Sequence, residues 1–447
     1  MNKLLRLFLN MNRSMAVAIT FAALILAGTL LLMLPISNTS GEWMPFIDAL
    51  FTATSATCVT GLAVVDTGNY FTRFGSTVLI MLIQVGGLGI MTMTTLFSVG
   101  LGKRINIRHR LLIQESLNQE GPSGVIKMTL AIVKYTLVIE FFFGSILAAY
   151  FYDSMGLEAL YFGYWHAVSA FCNAGFDLFG NFKSLVDYQT NVLLNICFML
   201  LIILGGIGFT VIGEVVKKRQ WRLFSLHTKM VLVINTMLIF GGGLIIWLLE
   251  MHNPATLAGL NTGEQLLAAM FQSVSARTAG FNTVDIAMLG NATLFFMMFL
   301  MFVGASPTST GGGIKTTTFG ILLASTLSLL RDKKETVLFR RRIDNALIFK
   351  SYSIFILSVL WLALAFFLLL ALDTGGYSFA KVLFELFSAF GTVGLGIGIT
   401  TEWNDWCKLV LIATMYIGRI GILTFGMSFF TKEIDRVRYP TENIIVG

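Results

Sequence analysis

The chain has 447 residues, of which 56% are hydrophobic and 12% are charged, and its formal net charge is +7 at pH 7. Soluble domains carry about 25% charged residues. A chain with half that share has too few charged residues to cover the surface of a soluble helical protein, so this class is excluded. The four cysteines, at 58, 172, 197 and 407, have no CxxC spacing, which argues against a disulfide framework and a zinc site.

Long apolar runs predict transmembrane helices, because about 20 apolar residues cross the roughly 30 Å hydrocarbon core of a bilayer. The uncharged runs are 14–41, 74–102, 188–213, 230–249 and 351–372, and the runs with one to three charges are 124–152, 286–330 and 409–431. Together they predict eight spans. The run 286–330 is too long for one ordinary span.

Basic residues between the predicted spans set the orientation. They follow every second span, so they lie on one face, which is the cytoplasmic face by the positive-inside rule. Both termini are therefore predicted to be cytoplasmic. The basic clusters are Lys3/Arg6/Arg13, Lys103/Arg104/Arg108/Arg110, Lys217/Lys218/Arg219/Arg222/Lys229, Arg331/Lys333/Lys334 with Arg340/Arg341/Arg342, and Lys432/Arg436/Arg438.

Four glycine loops recur along the chain, and their glycines, Gly61, Gly175, Gly280 and Gly394, are 114, 105 and 114 residues apart. Each loop follows an apolar segment too short to cross the membrane. These segments are 44–56, 159–171, 264–276 and 379–390. A Ser-Ala pair lies six and five residues before three of the glycines and is displaced by one residue before Gly280.

This order predicts an all-α integral membrane protein with eight transmembrane helices and four re-entrant pore helices. Non-helical backbone at membrane depth is tolerated only where it lines a water-filled path or is buried in protein. The four units are parallel repeats of helix, pore helix and helix (M1–P–M2) around one central pore. Their predicted boundaries are 1–110, 111–224, 225–342 with an intramembrane gating loop, and 343–447 with the C-terminal tail.

The glycine loops are predicted to bind a dehydrated cation through backbone carbonyls, as a selectivity filter does. Ordinary extracellular loops with incidental glycines would explain one copy but not four in register. The predicted ion-binding residues are Thr57, Cys58, Val59, Thr60 and Gly61; Cys172, Asn173, Ala174 and Gly175; Arg277, Thr278, Ala279 and Gly280; and Gly391, Thr392, Val393 and Gly394.

The third repeat contains a segment, 304–315, that cannot be a continuous helix, and it is called the broken segment below. Proline removes a backbone donor, and each glycine costs about 1 kcal/mol relative to alanine. We expect a flexible plug just below the filter; the alternative is a structural kink. The sequence is not a phosphate-binding loop, because Ile314 separates Gly313 from Lys315. The predicted gating residues here are Gly304, Ser306, Pro307, Thr308, Ser309, Thr310, Gly311, Gly312, Gly313 and Lys315.

Arg419 is predicted to be a further gating residue, because a charge at the bilayer centre costs about 2.5–3.5 kcal/mol. We expect it to face the pore and to bind the broken segment; the alternative is a residue that snorkels to an interface. Glu140 is expected to face Lys134 within its span, and the pair Gly205-x-x-Gly208 is expected to pack helices.

At the glycine loops the chain resembles the Trk/Ktr/HKT superfamily of potassium transporters, and within it the bacterial membrane subunits of the KtrB/KtrD type. The resemblance covers nearly the whole chain. Besides the loops it rests on 84–89, 205–209, 306–315 and 417–421. The filter glycines of that family map onto Gly61, Gly175, Gly280 and Gly394.

The resemblance implies a multi-pass potassium uptake subunit of the bacterial cell membrane. It implies a homodimer, gated by a cytosolic ring of nucleotide-binding subunits of the KtrA/KtrC type, with uptake often coupled to or stimulated by sodium. The expected ions are the transported potassium ion and, as an alternative left open, sodium. No organic cofactor is expected in this chain, and the further partner is membrane lipid rather than nucleic acid. Members with serine at the first filter glycine commonly select sodium, so Gly61 favours potassium.

The alternatives are a sodium-conducting or sodium/potassium-coupled member of the family, a membrane enzyme and a structural anchor. An enzyme would need a polar catalytic cluster, and the sequence has no Ser/His/Asp or paired-carboxylate constellation. An anchor would not need four glycine loops.

Overall fold

The computed structural model describes residues 13–89, 92–93, 96, 125–429 and 442. The basic clusters predicted at 3–6, 103–110 and 432–438 lie outside the described residues. The α-helices of the described part are α1 (Arg13–Met33), α2 (Phe46–Cys58), α3 (Thr67–Tyr70), α4 (Arg73–Leu88), α5 (Val125–Met155), α6 (Glu158–Phe171), α7 (Val192–Gly206), α8 (Phe209–Lys218), α9 (Leu226–Glu250), α10 (Thr262–Ser275), α11 (Asn291–Phe302), α12 (Thr316–Leu330), α13 (Asn345–Leu372), α14 (Phe379–Gly391), α15 (Asp405–Ile420) and α16 (Ile422–Phe429).

Short elements connect these helices. An antiparallel hairpin joins α12 to α13 and pairs Val337 with Arg342 and Leu338 with Arg341. Its strands are β1 (Val337–Leu338) and β2 (Arg341–Arg342), and the 3₁₀ turns are Pro35–Ser37, Val186–Tyr188, Trp221–Leu223 and Ile286–Met288.

One order of elements recurs four times: a long helix, a short helix, a glycine loop and a second apolar helix. The long helices are α1, α5, α9 and α13, and within the described residues these four are long and apolar enough to cross a membrane. The short helices are α2, α6, α10 and α14, with 13, 14, 14 and 13 residues. They lie within two residues of the predicted short segments.

The second helix of repeats 1, 2 and 4 is bent or ends early, which differs from the continuous spans predicted for these repeats. The α7–α8 pair is bent by 97° and the α15–α16 pair by 98°, so the runs 188–213 and 409–431 each contain two helices. Counting each bent pair as one span gives up to six spans in the described part of the chain.

Glycines with left-handed backbone cause these bends. Gly208 and Gly421 separate the two helices of each bent pair at φ 98° and 92°, and Gly89 follows α4 at φ 85°. Residues with a Cβ rarely adopt these φ angles. The sequence did not predict the bends because each run is apolar on both sides of its glycine.

A second set of glycines packs these helices against the short helices. A Cβ at these positions would lie within about 2 Å of a carbonyl at the end of the short helix, so no other residue fits. The distances from the added Cβ to the oxygen are 2.0 Å from Gly86 to Thr57 O, 1.8 Å from Gly205 to Phe171 O and 2.1 Å from Gly418 to Phe390 O. Of the predicted packing pair, Gly205 therefore packs helices, whereas Gly208 makes a bend.

The last repeat packs against the first. Lys408 Nζ of α15 lies 2.7 Å from Asp48 Oδ1 in the first turn of α2, with side chains only 11% and 23% exposed. Tyr416 of α15 donates a 2.6 Å hydrogen bond to the carbonyl of Ala18 in α1. These contacts close the four repeats into a ring.

We expect Lys408→Met to lower the melting temperature of the purified protein, because it leaves Asp48 unpaired in a largely buried place. Breaking a buried pair from one side typically costs about 3–5 kcal/mol. Thermal unfolding in detergent measures the change. The matched control is Lys183→Met, which breaks an exposed pair with Asp187; equal melting temperatures for the two variants would contradict a role for the buried pair.

Candidate functional site

The four glycine loops share one backbone conformation. Each glycine has a positive φ, and so does the residue two positions before it. The pairs are Val59 and Gly61 (59° and 95°), Asn173 and Gly175 (58° and 71°), Thr278 and Gly280 (77° and 80°), and Thr392 and Gly394 (49° and 91°). A positive φ is uncommon for residues other than glycine and marks functional sites when the surroundings enforce it. Its recurrence at one position of four loops indicates a common constraint.

The four glycines form a closed ring. A Cβ added to any of them would lie less than 3.0 Å from the carbonyl oxygen that precedes the next glycine around the ring. The distances from the added Cβ to the oxygen are 2.5 Å from Gly61 to Ala174 O, 2.9 Å from Gly175 to Ala279 O, 2.4 Å from Gly280 to Val393 O and 2.2 Å from Gly394 to Thr60 O. Each loop thus brings one backbone carbonyl to the ring, and rings of backbone carbonyls are a feature of known cation selectivity filters.

The serine of each Ser-Ala pair fixes its loop. In the first and fourth loops Ser55 and Ser388 each accept a 3.1 Å hydrogen bond from the glycine N–H, at Gly61 and Gly394. In the second and third loops the serine instead donates to the carbonyl after the glycine, from Ser169 to Phe176 O at 2.6 Å and from Ser275 to Phe281 O. The one-residue displacement before Gly280 is therefore absorbed without losing the contact.

Some predicted ion-binding residues direct their side chains into the scaffold. Cys172 Sγ lies 3.3 Å from Gln84 Oε1 of α4, and the guanidinium of Arg277 bonds to Asn235 of α9. The amide of Asn173 lies 3.2 Å from Thr278 Oγ1 and joins the second loop to the third. At these positions only the backbone is left to face an ion.

A cavity of about 340 Å³ opens on one side of the ring and is lined by all four glycines. Acidic side chains from several loops also line it, namely Asp66, Asp177, Asp285 and Glu385. Glu385 is held in place by Ile397 N–H at 2.9 Å and by the Thr400 hydroxyl at 3.0 Å. Such a lining raises the local concentration of cations.

The broken segment lies on the other side of the ring. Gly312 N–H donates to Thr392 Oγ1 of the fourth loop at 3.0 Å. A Cβ on Gly311 would lie 2.0 Å from Thr278 Oγ1 of the third loop, and the Thr310 hydroxyl donates to Phe171 O, next to the second loop, at 3.3 Å. The segment therefore packs directly beneath the loops.

The breaks of the neighbouring helices hold the broken segment. Ser306 N–H donates to Gly206 O at 3.0 Å, and Phe209 N–H donates to Thr308 O at 2.9 Å. Gly313 N–H donates to Gly418 O at 3.3 Å. The segment returns to its start, since Val303 and Ile314 form a parallel β-bridge, so its backbone polar groups are satisfied by bent helices rather than by a helix of its own.

Arg419 binds the broken segment, as predicted, through one carbonyl of that segment, and it also binds two carbonyls of α4. One guanidinium nitrogen donates to Thr310 O, and the other donates to the carbonyls of Gly86 and Gly87, the latter at 3.1 Å. The Gly86 and Gly87 carbonyls were missed because only the early end of α4 at Gly89 leaves them free.

Lys315 stabilises the glycines of the same segment. Its Nζ donates to Gly311 O at 2.6 Å and to Gly312 O at 3.4 Å. Lys315 and Arg419 both line a second cavity, of about 260 Å³, on the side away from the ring. The broken segment thus separates two cavities, and the basic side chains of Lys315 and Arg419 both lie beside it.

The predicted contact between Glu140 and Lys134 is wrong. Glu140 is buried and accepts a 3.1 Å hydrogen bond from Gln84, whereas Lys134 is exposed. Six positions along an α-helix rotate by about 240°, so the two side chains project from different faces of α5.

The chain is similar to known cation transport proteins. A family model described as TrkH, cation transport protein, matches residues 6–436. The Ktr system potassium uptake protein B of Bacillus subtilis (strain 168) is 44% identical over 96% of this chain and 96% of the relative. The protein of the same name from Vibrio alginolyticus is 41% identical over 96% and 94%.

Two further proteins are similar. The potassium/sodium uptake protein NtpJ of Enterococcus hirae is 39% identical over 96% of both chains. The crystal structure of the potassium transporter TrkH from Vibrio parahaemolyticus has a TM-score of 0.73 at 19% identity and covers 94% of this chain and 85% of that chain. The structural likeness supports the fold, and the sequence matches confirm the predicted resemblance: the chain belongs to the TrkH family of cation transport proteins, with Ktr potassium uptake proteins among its relatives.

Proposed function

We propose that the chain is the potassium-translocating pore subunit of a Ktr-type uptake system in the bacterial cell membrane. The observation that carries the proposal is the closed ring of four glycines, each packed against the carbonyl before the next. Backbone carbonyls around one axis can replace the hydration shell of potassium. The names of the Ktr relatives support potassium as the ion.

In this proposal the predicted residues of the four glycine loops bind the ion through their backbone. The side chains of Thr57 and Thr60 add two hydroxyls that are buried and have no hydrogen-bond partner in the described part of the chain. Buried hydroxyls normally have a partner, so an ion or its water is a suitable one.

The proposed topology has eight spans and four re-entrant helices, with both termini cytoplasmic. It counts the bent pairs α7–α8 and α15–α16 as one span each and treats α4 and α11–α12 as the corresponding spans of repeats 1 and 3. The repeat boundaries remain 1–110, 111–224, 225–342 and 343–447. The 340 Å³ cavity then faces outside, and the 260 Å³ cavity faces the cytoplasm.

The broken segment is the proposed gate, with Lys315 and Arg419 as positive charges at the barrier. A cytosolic ring of nucleotide-binding KtrA/KtrC-type subunits would control it in a homodimer of pores, and sodium would stimulate uptake. The basic groups between α8 and α9 and around the β1–β2 hairpin give such a ring a docking face.

Sodium conduction, or coupling to sodium, is the second candidate. It is favoured by the name of NtpJ, a potassium/sodium uptake protein. Gly61 argues for potassium, because sodium-selective members commonly have serine at the matching position.

Flux into proteoliposomes tests the proposal. We expect the purified chain to carry rubidium and potassium in preference to sodium, relative to empty vesicles. A preference for sodium would support the second candidate, and no cation flux in correctly assembled protein would contradict both.

We expect Arg419→Ala to raise cation leak in the absence of any cytosolic subunit. The change removes the bond to Thr310 O, frees Gly86 O and Gly87 O, and takes a positive charge from the barrier. A barrier lower by roughly 1.4 kcal/mol gives about a tenfold rise, measured as proteoliposome flux. The control is Arg73→Ala, which removes an arginine 69% exposed in a surface ion pair. Unchanged leak in Arg419→Ala would mean that Arg419 only packs.

A further inference from the structure

The buried arginine of the third glycine loop has no counterpart in the other loops. Arg277 lies three residues before Gly280, and the matching residues of the other loops are Cys58, Cys172 and Gly391. Arg277 is 6% exposed, and it takes part in none of the ion pairs found among the described residues. A buried charge is costly unless it is paired, so the way it is compensated matters.

One asparagine compensates this charge. Arg277 Nη2 donates to Asn235 Oδ1, and Nη1 lies 3.5 Å from the Asn235 carbonyl. Arg277 Nε has no partner in the described part of the chain. The guanidinium therefore depends on the position of Asn235, which is itself 6% exposed in the middle of α9.

The same asparagine holds the broken segment. Its Nδ2 donates to Ser306 Oγ at 3.0 Å and to Val231 O at 2.7 Å. Ser306 is fully buried and also accepts from Thr316 Oγ1 at 3.0 Å. The side chain of Asn235 thus joins a residue of the proposed gate to a residue of the proposed filter, with both its polar atoms used.

We propose that Asn235 is a positioning residue that couples the broken segment to the third glycine loop, so that the position of the gate alters ion selection at the ring. The proposal rests on the proposed function. When the broken segment moves aside, Ser306 leaves the Asn235 amide, and the amide that compensates Arg277 loses its fixed orientation. The third loop is then held less firmly at Arg277, three residues before Gly280. Gly280 is closely packed in the ring, so a small shift of this loop changes the ring.

A double-mutant cycle on selectivity tests the coupling. The full-length chain is placed in proteoliposomes, and the potassium-to-sodium flux ratio is measured for Ser306→Ala, Arg277→Lys and the double variant. Lysine cannot reach both oxygens of Asn235 as a planar guanidinium does. We expect each single change to lower the ratio by about threefold or more, and the double variant to match Arg277→Lys alone, because both act through one amide.

The control is Ser325→Ala, a buried serine of α12 that bonds to Leu322 O and Tyr352 rather than to the broken segment; its ratio should equal that of the unchanged protein. Effects that multiply in the double variant, or an unchanged ratio in Ser306→Ala, would overturn the coupling.

If Arg277→Lys does not assemble, Asn235→Asp replaces it in the cycle. Aspartate loses the N–H that donates to Ser306, although the Ser306 hydroxyl can still donate to the carboxylate. The carboxylate pairs with Arg277 by charge and does not depend on a fixed amide orientation, so adding Ser306→Ala should lower the ratio no further, and a further fall would overturn the proposal. The unchanged protein distinguishes failure of the proposed function from failure of the coupling. If it carries no potassium flux above empty vesicles, the proposed function fails. If it carries flux but the effects of the two variants multiply, only the coupling is overturned.

Discussion

Gly61→Ser is expected to lower the potassium-to-sodium flux ratio by about tenfold, the change that roughly 1.4 kcal/mol of lost discrimination gives. Gly61 has φ 95°, and a Cβ there would lie 2.5 Å from Ala174 O and 2.9 Å from the Cα of Gly175. Serine therefore moves the carbonyl of the second loop, and its hydroxyl adds a ligand of different geometry on one side of the ring. Flux ratios in proteoliposomes measure the effect.

The matched control is Gly41→Ser. Gly41 also has a positive φ, 72°, but a Cβ there would have no neighbour within 4 Å. Both variants carry backbone strain, and only Gly61→Ser touches the ring. An assembled Gly61→Ser protein with the flux ratio of Gly41→Ser would contradict the assignment of the ring as the filter.

The sequence predicted the elements that repeat. Four glycines at similar spacing, each after a short apolar segment, located the short helices within two residues, because a pattern that occurs four times is not coincidental. It also indicated that 304–315 could not be a helix and that Arg419 would bind it. These predictions rest on local chemistry: glycine, proline and a charge in an apolar run constrain the backbone wherever the chain goes.

Apart from the bond of Arg419 to the broken segment, the contacts between distant elements could not be predicted from the sequence. Gly86 and Gly87 were assigned to a span, and nothing in that run signals that their carbonyls accept from Arg419, more than 300 residues away. The role of Asn235 was not predicted, because a single asparagine in an apolar helix forms no repeating pattern with other residues. Its partners, Arg277 and Ser306, lie on two other elements, and only the folded chain brings them together.

The bends at Gly208 and Gly421 are an intermediate case. A glycine in an apolar run is compatible with close packing or with a break, and Gly205 and Gly208 show both outcomes three residues apart. The break is favoured because the broken segment supplies partners for the freed polar groups, as in the bond from Phe209 N–H to Thr308 O. The bends and the broken segment therefore stabilise each other.

Deleting 307–313 is expected to raise basal cation flux by about tenfold or more, equivalent to a barrier lower by at least roughly 1.4 kcal/mol. The segment lies between the ring and the 260 Å³ cavity, and its removal opens a path between them. The chain can close across the deletion, because Val303 and Ile314 are bridge partners and Thr316 N–H lies 3.4 Å from Ala305 O. Proteoliposome flux without cytosolic subunits measures the effect.

The deletion also removes Thr310 O, the only acceptor that the broken segment offers to Arg419 among the hydrogen bonds seen here, while Gly86 O and Gly87 O remain.

A second variant that replaces 307–313 by seven residues of Gly and Ser keeps the length but loses the side-chain contacts of Thr308 and Thr310. If bulk alone blocks the path, this replacement should stay closed; if the specific contacts hold the segment in place, it should leak nearly as much as the deletion. Because the segment is fixed by hydrogen bonds to the second and fourth repeats rather than by apolar packing of its own, we expect the leak. Low flux through the assembled deletion variant would show that the barrier lies elsewhere and would remove 304–315 from the gate.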